Sequence, residues 1–174
     1  TAYIALKVGD RVSLFAFDSK PRLSSGSVSN PRSFALLQSL AGRLDYSSEE
    51  TNYTLALSTL ATRLDRRSLI VMLTEIADPT SAELMVQAIS RLLSRHLLLF
   101  IVLRDSELED IAGAEPQEVE DVTRAVTAAA LLRERQVVIA RLRQLGVYVI
   151  ETRHEQVSHA LVQAYFDLKK RNLL

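Results

Sequence analysis

Arg66-Arg67-Ser68-Leu69-Ile70-Val71-Met72-Leu73-Thr74-Glu75 is the stretch that decides the fold class. From Ser68 to Leu73 the run is uninterrupted by charge, and it is bounded by arginines on one side and polar residues on the other. A strand with one wet face alternates, whereas a short continuous apolar run suits a strand buried on both faces, as in a parallel sheet. The segment is therefore predicted as a central parallel strand whose Thr74-Glu75 tip is the place for a ligand. Leu97 to Leu103 is a second run of the same kind. Between them, Asp78-Pro79-Thr80-Ser81-Ala82-Glu83 carries a T-x-x-E capping box at Thr80 and Glu83, and Met85, Ala88, Ile89 and Leu92 continue it as a helix.

Working outward, Arg11 to Phe17 alternates and then becomes apolar through Val12, Leu14, Phe15 and Phe17, a strand pattern that follows the helix-ending Gly9. Ala2 to Lys7 reads as the last turns of a helix already under way, so the natural protein is expected to extend upstream of Thr1. The serine-rich Asp18 to Ser29, with Pro21 and Gly26, reads as a turn with at most a short edge strand. Asn30-Pro31 supplies an N-cap and a first-turn proline for a helix ending near Leu44, with Phe34, Leu37, Ala41 and Leu44 at helical spacing. After the polar loop Asp45 to Glu50, the residues Tyr53, Leu57, Leu60, Ala61 and Leu64 mark a second helix.

On the other side, Pro116 to Leu145 contains no glycine and no further proline and is predicted as a long helix, about 45 Å if unbroken. Gly146 ends it, Val147 to Ile150 is a last strand, and Val157, Ala160, Leu161, Ala164, Tyr165 and Leu168 form a closing amphipathic helix. Strands alternating with helices imply an α/β fold with a mainly parallel sheet covered on both faces. Residues 1–174 are read as a single domain.

Composition limits what such a domain does. Lysine plus arginine and aspartate plus glutamate stand at 21 each, so no global field attracts nucleic acid or an anionic membrane. There is no cysteine, which excludes disulfides, thiolate metal sites and thiol nucleophiles and suits a reducing compartment. No stretch approaches the roughly 20 apolar residues that cross a bilayer. The expected location is cytoplasmic, with any membrane anchor confined to a part upstream of Thr1. Arginines along the long helix (Arg133, Arg135, Arg141, Arg143) and Lys169-Lys170-Arg171 read as solvated faces and a favourable helix C-terminus rather than a nucleic-acid surface.

In parallel α/β sheets ligands bind beyond the carboxyl ends of the strands. Asp18, Thr74, Glu75, Asp78, Arg104 and Asp105 all stand at or just past such ends. Polar residues also begin wherever burial stops, and that bland reading is the more common one for each of them. Thr51 and Asn52, before the second helix, either cap it or bind a cation, and capping is the commoner use. Loop hydroxyl and amide oxygens converging with Glu75 would suit a hard cation, although two such residues are too few for a site. His154 and His159 are five apart and do not share a helix face. The nucleophile elbow G-x-S-x-G, the phosphate loop G-x-x-x-x-G-K-[ST] and the dinucleotide pattern G-x-G-x-x-G are all missing from the sequence.

Read together, Gly9-Asp10-Arg11-Val12 with Leu14-Phe15-Ala16-Phe17, Thr51-Asn52 with Leu55-Ala56-Leu57, Arg66-Arg67-Ser68-Leu69-Ile70-Val71, Arg141-Leu142-Arg143-Gln144-Leu145-Gly146-Val147 and Tyr165-Phe166-Asp167-Leu168-Lys169-Lys170 resemble the von Willebrand factor A-like domain of the bacterial family called domain of unknown function fifty-eight. The resemblance covers nearly the whole chain through order and spacing rather than any one specific motif. It implies a three-layer, Rossmann-like von Willebrand A-type fold lacking its first central strand, which in such domains carries an Asp-x-Ser-x-Ser metal motif. It also implies a degenerate metal ion-dependent adhesion site at Thr51 and Glu75, with a glutamate in place of the usual aspartate. Asp18, Asn52 and Asp78 are further candidates at the tip. No cofactor is implied for the fragment, and Mg2+ or another divalent cation is implied for the full-length protein.

The implied function is a non-enzymatic protein-interaction module working with a MoxR-type AAA ATPase in the assembly or maturation of other proteins. The missing strand would leave apolar edges that meet each other or a second copy of the chain. Two alternatives stand beside this reading: a metal-dependent enzyme using Glu75 and Asp78, and a purely structural domain.

Overall fold

A computed structural model of the chain describes residues 1–74 and 79–171, with side chains at all of these except 79–81. Two compact units emerge, Thr1–Arg67 with Leu161–Leu174, and Ser68–Ala160.

The second unit is built on the two apolar runs. Strands β3 (Leu69–Thr74), β4 (Leu97–Leu103) and β5 (Tyr148–Thr152) form a parallel sheet in the order β3-β4-β5. Leu69 lies opposite Leu97 and Thr74 opposite Val102, while Leu99 to Leu103 face Tyr148 to Thr152. Parallel neighbours need a long return, and helices supply it. Helix α4 (Pro79–Leu93) connects β3 to β4, and α5 (Ser106–Gly113) with α6 (Val119–Gln144) connects β4 to β5. The arrangement is a mixed α/β unit with a three-stranded parallel sheet flanked by helices, compatible with a Rossmann-like fold.

The expectation that Ser68 to Leu73 occupies the sheet centre is corrected. Among the described residues β3 is an edge strand and β4 is the centre. Burial shows the same thing, because Leu98 to Val102 are at most 1% exposed whereas Leu73 is 64% exposed. Alternate residues of a strand face opposite sides, so both faces of β4 are covered.

Helix α6 starts three residues after Pro116 and ends one before Leu145, close to expectation, and Gly146 terminates it at φ +91°. A left-handed residue there costs an L side chain strain that glycine escapes. Helix α5 was not anticipated from the sequence, since its eight residues are too short for a clear period. Helix α4 already includes Pro79 and Thr80, so Thr80 stands inside the first turn rather than before it as a cap. Ion pairs tie the elements together: Arg141 on α6 meets Glu83 on α4, and Arg143 Nη2 meets Glu151 Oε1 on β5 at 2.9 Å. Buried Ile139 and Leu142 form the inward face of α6.

In the first unit, α1 (Ala2–Lys7) ends at Gly9, where φ is +88°. The strand expected from Arg11 to Phe17 is confined to β1 (Phe15–Phe17), which pairs antiparallel with β2 (Pro21–Ser24) in a separate two-stranded sheet. Upstream only an isolated bridge between Val12 and Val28 remains. Pairing is irregular between Ala16 and Phe17, where Phe17 faces Pro21, a residue with no N–H to give to the ladder. Asn30 caps as expected, its Oδ1 accepting from Arg32 N at 2.9 Å. A 3-10 turn (Pro31–Ser33) follows and leads into α2 (Phe34–Ala41). The last turn tightens past Gly42, with Leu44 N donating to Ala41 O at 3.1 Å, which carries the winding to Leu44. Next come α3 (Tyr53–Arg63) and the part of α7 (Val157–Lys170) from Leu161 onward.

One polar cluster anchors α7 within this unit. Lys169 Nζ lies 2.8 and 2.7 Å from the two Asp10 carboxylate oxygens, and the Tyr165 hydroxyl donates to Asp10 Oδ2. Tyr165 and Lys169 are four apart and so share one helix face. Burial pushes the Asp10 carboxyl up, but the bonds from Lys169 and Tyr165 and the ammonium charge outweigh it and leave the group below its ordinary 3.8. Its bond to Asp10 raises Lys169 above its ordinary value.

A carboxyl lowered by folding contributes stability above its unfolded pKa and loses it as pH falls through the folded value. A raised lysine contributes below its unfolded pKa and loses that contribution as pH rises through the folded value. Lys169→Met is therefore expected to cost about 1 kcal/mol at neutral pH, the pair being partly exposed. Urea unfolding should show the difference between variant and parent shrinking below about pH 4 and above about pH 10.

Candidate functional site

The polar residues singled out at strand ends and loop tips fall into three groups. Asp18, Thr51 and Asn52 belong to the first unit, and Thr74, Arg104 and Asp105 to the second. Glu75 and Asp78 lie outside the described residues.

The structure brings Asp18 and Asn52 together. Asn52 N donates to the backbone carbonyl of Asp18 at 2.9 Å, which joins the end of β1 to the start of α3. The rings of Phe17, one residue before Asp18, and Tyr53, one residue after Asn52, pack edge to face with centroids 6.0 Å apart. Asn52 Oδ1 accepts from Leu55 N at 2.9 Å and so serves as the helix cap. Thr51, half-buried, precedes that cap.

Asp18 is buried, and donors of its own unit surround its carboxylate. Lys20 N donates to Oδ1 at 3.2 Å, the Ser19 hydroxyl lies 3.4 Å from the same oxygen, and Arg22 Nη1 stands 3.5 Å from Oδ2. Burial drives this carboxyl up, yet the Lys20 amide, the Ser47 hydroxyl, the Arg22 charge and the Ser19 hydroxyl together hold it below 3.8. Asp18 is thus ionised at neutral pH and has no proton to donate. Its oxygens are engaged by a turn that it organises, the usual role of an aspartate at the start of a tight turn.

At the carboxyl ends of β4 and β5 the pattern repeats. Arg104 Nε and Nη2 make a forked contact with Glu109 at 2.9 and 2.8 Å, and Arg104 N donates to Thr152 O at 2.9 Å. Asp105 Oδ1 accepts from Leu108 N at 2.9 Å and caps α5. The Arg104 bond to Glu109 raises the guanidinium further above neutrality, and the same bond, outweighing burial, lowers Glu109 below 4.5. This pair is a fixed, charge-neutral link.

A divalent cation asks for several convergent, unencumbered oxygens. Asp18 spends its oxygens on local donors, Asn52 spends its amide oxygen on a cap, and among the described residues no group of three or more His, Asp or Glu side chains could hold a metal. The described residues therefore do not fit Mg2+. His96 escaped notice as a structural residue. It is 5% exposed at the start of β4, and burial followed by the nearby Arg95 charge holds its pKa down, so it is neutral. Its position one residue before a buried run was the available signal.

Comparison with family models, with curated proteins and with solved structures returned no match. Asn52→Ala is expected to lower stability by about 1 kcal/mol and Asn52→Asp to preserve it. Thr51→Ala should stay within about 0.5 kcal/mol of the parent in denaturant unfolding.

Proposed function

We propose that the chain is a non-enzymatic protein-interaction module of a von Willebrand A-like protein, working with a MoxR-type AAA ATPase in the assembly or maturation of other proteins, in the cytoplasm. The observation that carries this reading is the use made of the polar tip residues. Asp18 has local donors at both carboxylate oxygens, Asn52 and Asp105 each cap a helix through Oδ1, and Arg104 forms an internal ion pair with Glu109. A catalytic acid, base or ligand needs capacity left over for substrate, with a pKa near the working pH. Asp18 is instead held on the ionised side by four local donors or charges. The sequence resemblance supplies the partner class, and the parallel sheet flanked by helices is compatible with it.

A partner that binds only the folded chain raises its melting temperature, by the equivalent of about 2.7 kcal/mol at a hundredfold excess over Kd. A purified MoxR-type ATPase is expected to retain the chain in a pull-down and to raise its melting temperature, with no turnover of a phosphoester panel in the presence of Mg2+. Turnover with Mg2+ that is lost on substituting Glu75 and Asp78 would replace the interaction reading with a metal-dependent enzyme. Absence of both binding and turnover would leave a structural domain.

A further inference from the structure

Not every polar group at the carboxyl ends of β4 and β5 is consumed by the fold. Arg104 and Arg153 are each the first residue past a strand, and Arg104 N donates to Thr152 O at 2.9 Å, which sets the two strand ends side by side. A third arginine comes from α6. Its neighbour Gln136 donates through Nε2 to Glu151 Oε2 at 2.8 Å and so holds that turn of the helix against the end of β5. The sequence reads Arg135 as part of a solvated face, yet it is half-buried, unlike exposed Arg133. Three elements of one unit thus bring Arg104, Arg135 and Arg153 around a single carboxylate, Glu109 on α5, and the charges of all three act on it.

The anionic side of this cluster is spoken for. Both Glu109 oxygens go to the Arg104 fork at 2.9 and 2.8 Å. Glu151 gives its oxygens to Gln136 and Arg143, Asp105 caps α5 through Leu108 N, and Glu155 lies 3.2 Å from His154 Nε2. Arg135 Nη2 is buried with no hydrogen-bond partner, and among the described residues the exposed Arg153 forms no close ion pair. A guanidinium has five N–H donors and accepts nothing, and a buried donor left unpaired is costly, so it points to an acceptor that the chain itself does not supply. One carboxylate against three guanidinium groups leaves two positive charges over. A cation is repelled there, and a carboxylate neutralises only half the excess. A phosphoryl group carries close to two negative charges at neutral pH and three acceptor oxygens suited to guanidinium donors. The ends of parallel strands are also where ligands of such folds settle.

We propose that Arg135 and Arg153, beside Glu109 at the carboxyl ends of β4 and β5, bind the phosphoryl group of a small ligand. Arg104 stays on Glu109 and frames the site. Next to it an apolar groove of about 260 Å3 runs between α5 and α6, lined by Leu108, Ile111, Ala128 and Leu131. Leu131 precedes Arg135 by four residues and shares its helix face, so an organic group esterified to the phosphate would lie along the groove. The site needs only binding, and it stands whether or not the interaction reading above holds.

Thermal unfolding and titration calorimetry of the whole chain test this with two probes, inorganic phosphate and phenyl phosphate. Phosphate is expected to raise the melting temperature above that in sodium chloride of equal ionic strength. Arg135→Gln and Arg153→Gln should each weaken its Kd at least about tenfold, the loss of one charge-assisted contact. Because Arg153 is exposed, its substitution leaves the fold intact, as circular dichroism should confirm. Arg133→Gln removes the same charge from α6 outside the cluster and should leave Kd unchanged. Tighter binding of phenyl phosphate identifies the ligand as an ester seated in the groove, and equal or weaker binding identifies it as free phosphate. Equal stabilisation by chloride, or a Kd no more sensitive to Arg135→Gln and Arg153→Gln than to Arg133→Gln, reduces the effect to general salt screening and overturns the proposal.

Discussion

The second unit depends on β4, because a strand whose residues Leu98 to Val102 are all at most 1% exposed needs partners on four sides. Its two edges are satisfied by β3 and β5 in parallel register. Parallel pairing then dictates everything that follows, since the chain must travel back along the sheet before each new strand begins. Helix α4 makes the first return and α5 with α6 the second. The polar links Arg141 to Glu83 and Arg143 to Glu151 stand at the margins of that packing. Exposed pairs of this kind contribute little energy each, so apolar burial around β4 holds the elements and the charges set their alignment.

The first unit is organised by a different constraint. Its two-stranded sheet is too small to be stable alone, and its helices are short. Order comes from specific junctions: Asn52 to Asp18, Phe17 against Tyr53, and Lys169 and Tyr165 on Asp10. Each joins segments distant in sequence through one or two residues. Such junctions consume the polar groups that a bare sequence would offer as site candidates, which is why Asp18 and Asn52 are structural here.

Legibility of the sequence follows the same division. Continuous apolar runs at Leu69 to Leu73 and Leu97 to Leu103 announced parallel strands, of which β4 is the buried one, and Gly146 announced the end of the long helix, because each signal is local. Which run is central depends on pairing order, and nothing within Ser68 to Leu73 encodes it. The longer apolar run of β4, seven residues against six, was the only hint. Likewise Arg11 to Leu14 alternates as a strand does, yet Leu14 N donates to the Ser25 hydroxyl at 2.7 Å rather than to a backbone carbonyl, and the pairing upstream shrinks to the Val12–Val28 bridge. Candidate site residues were legible as polar groups at element ends. Their use was not, since the donors around Asp18 come from Ser19, Lys20, Arg22 and Ser47 in combination. The Asp10 cluster spans residues 155 and 159 apart in sequence and leaves no local trace beyond the Tyr165 and Lys169 spacing.

Helix α6 shows what remains when the demands of β4 are met. A crossover helix needs one apolar face, and Ala128, Ile139 and Leu142 provide it. Its outer face could have been filled with lysine and glutamate at no cost to the fold, and the second half partly is, with Arg133, Glu134, Arg141 and Gln144. The first half instead presents valine and alanine, residues that gain nothing in water and that, in the case of valine, favour a helix less than lysine or glutamate would. Packing within the unit does not explain that choice.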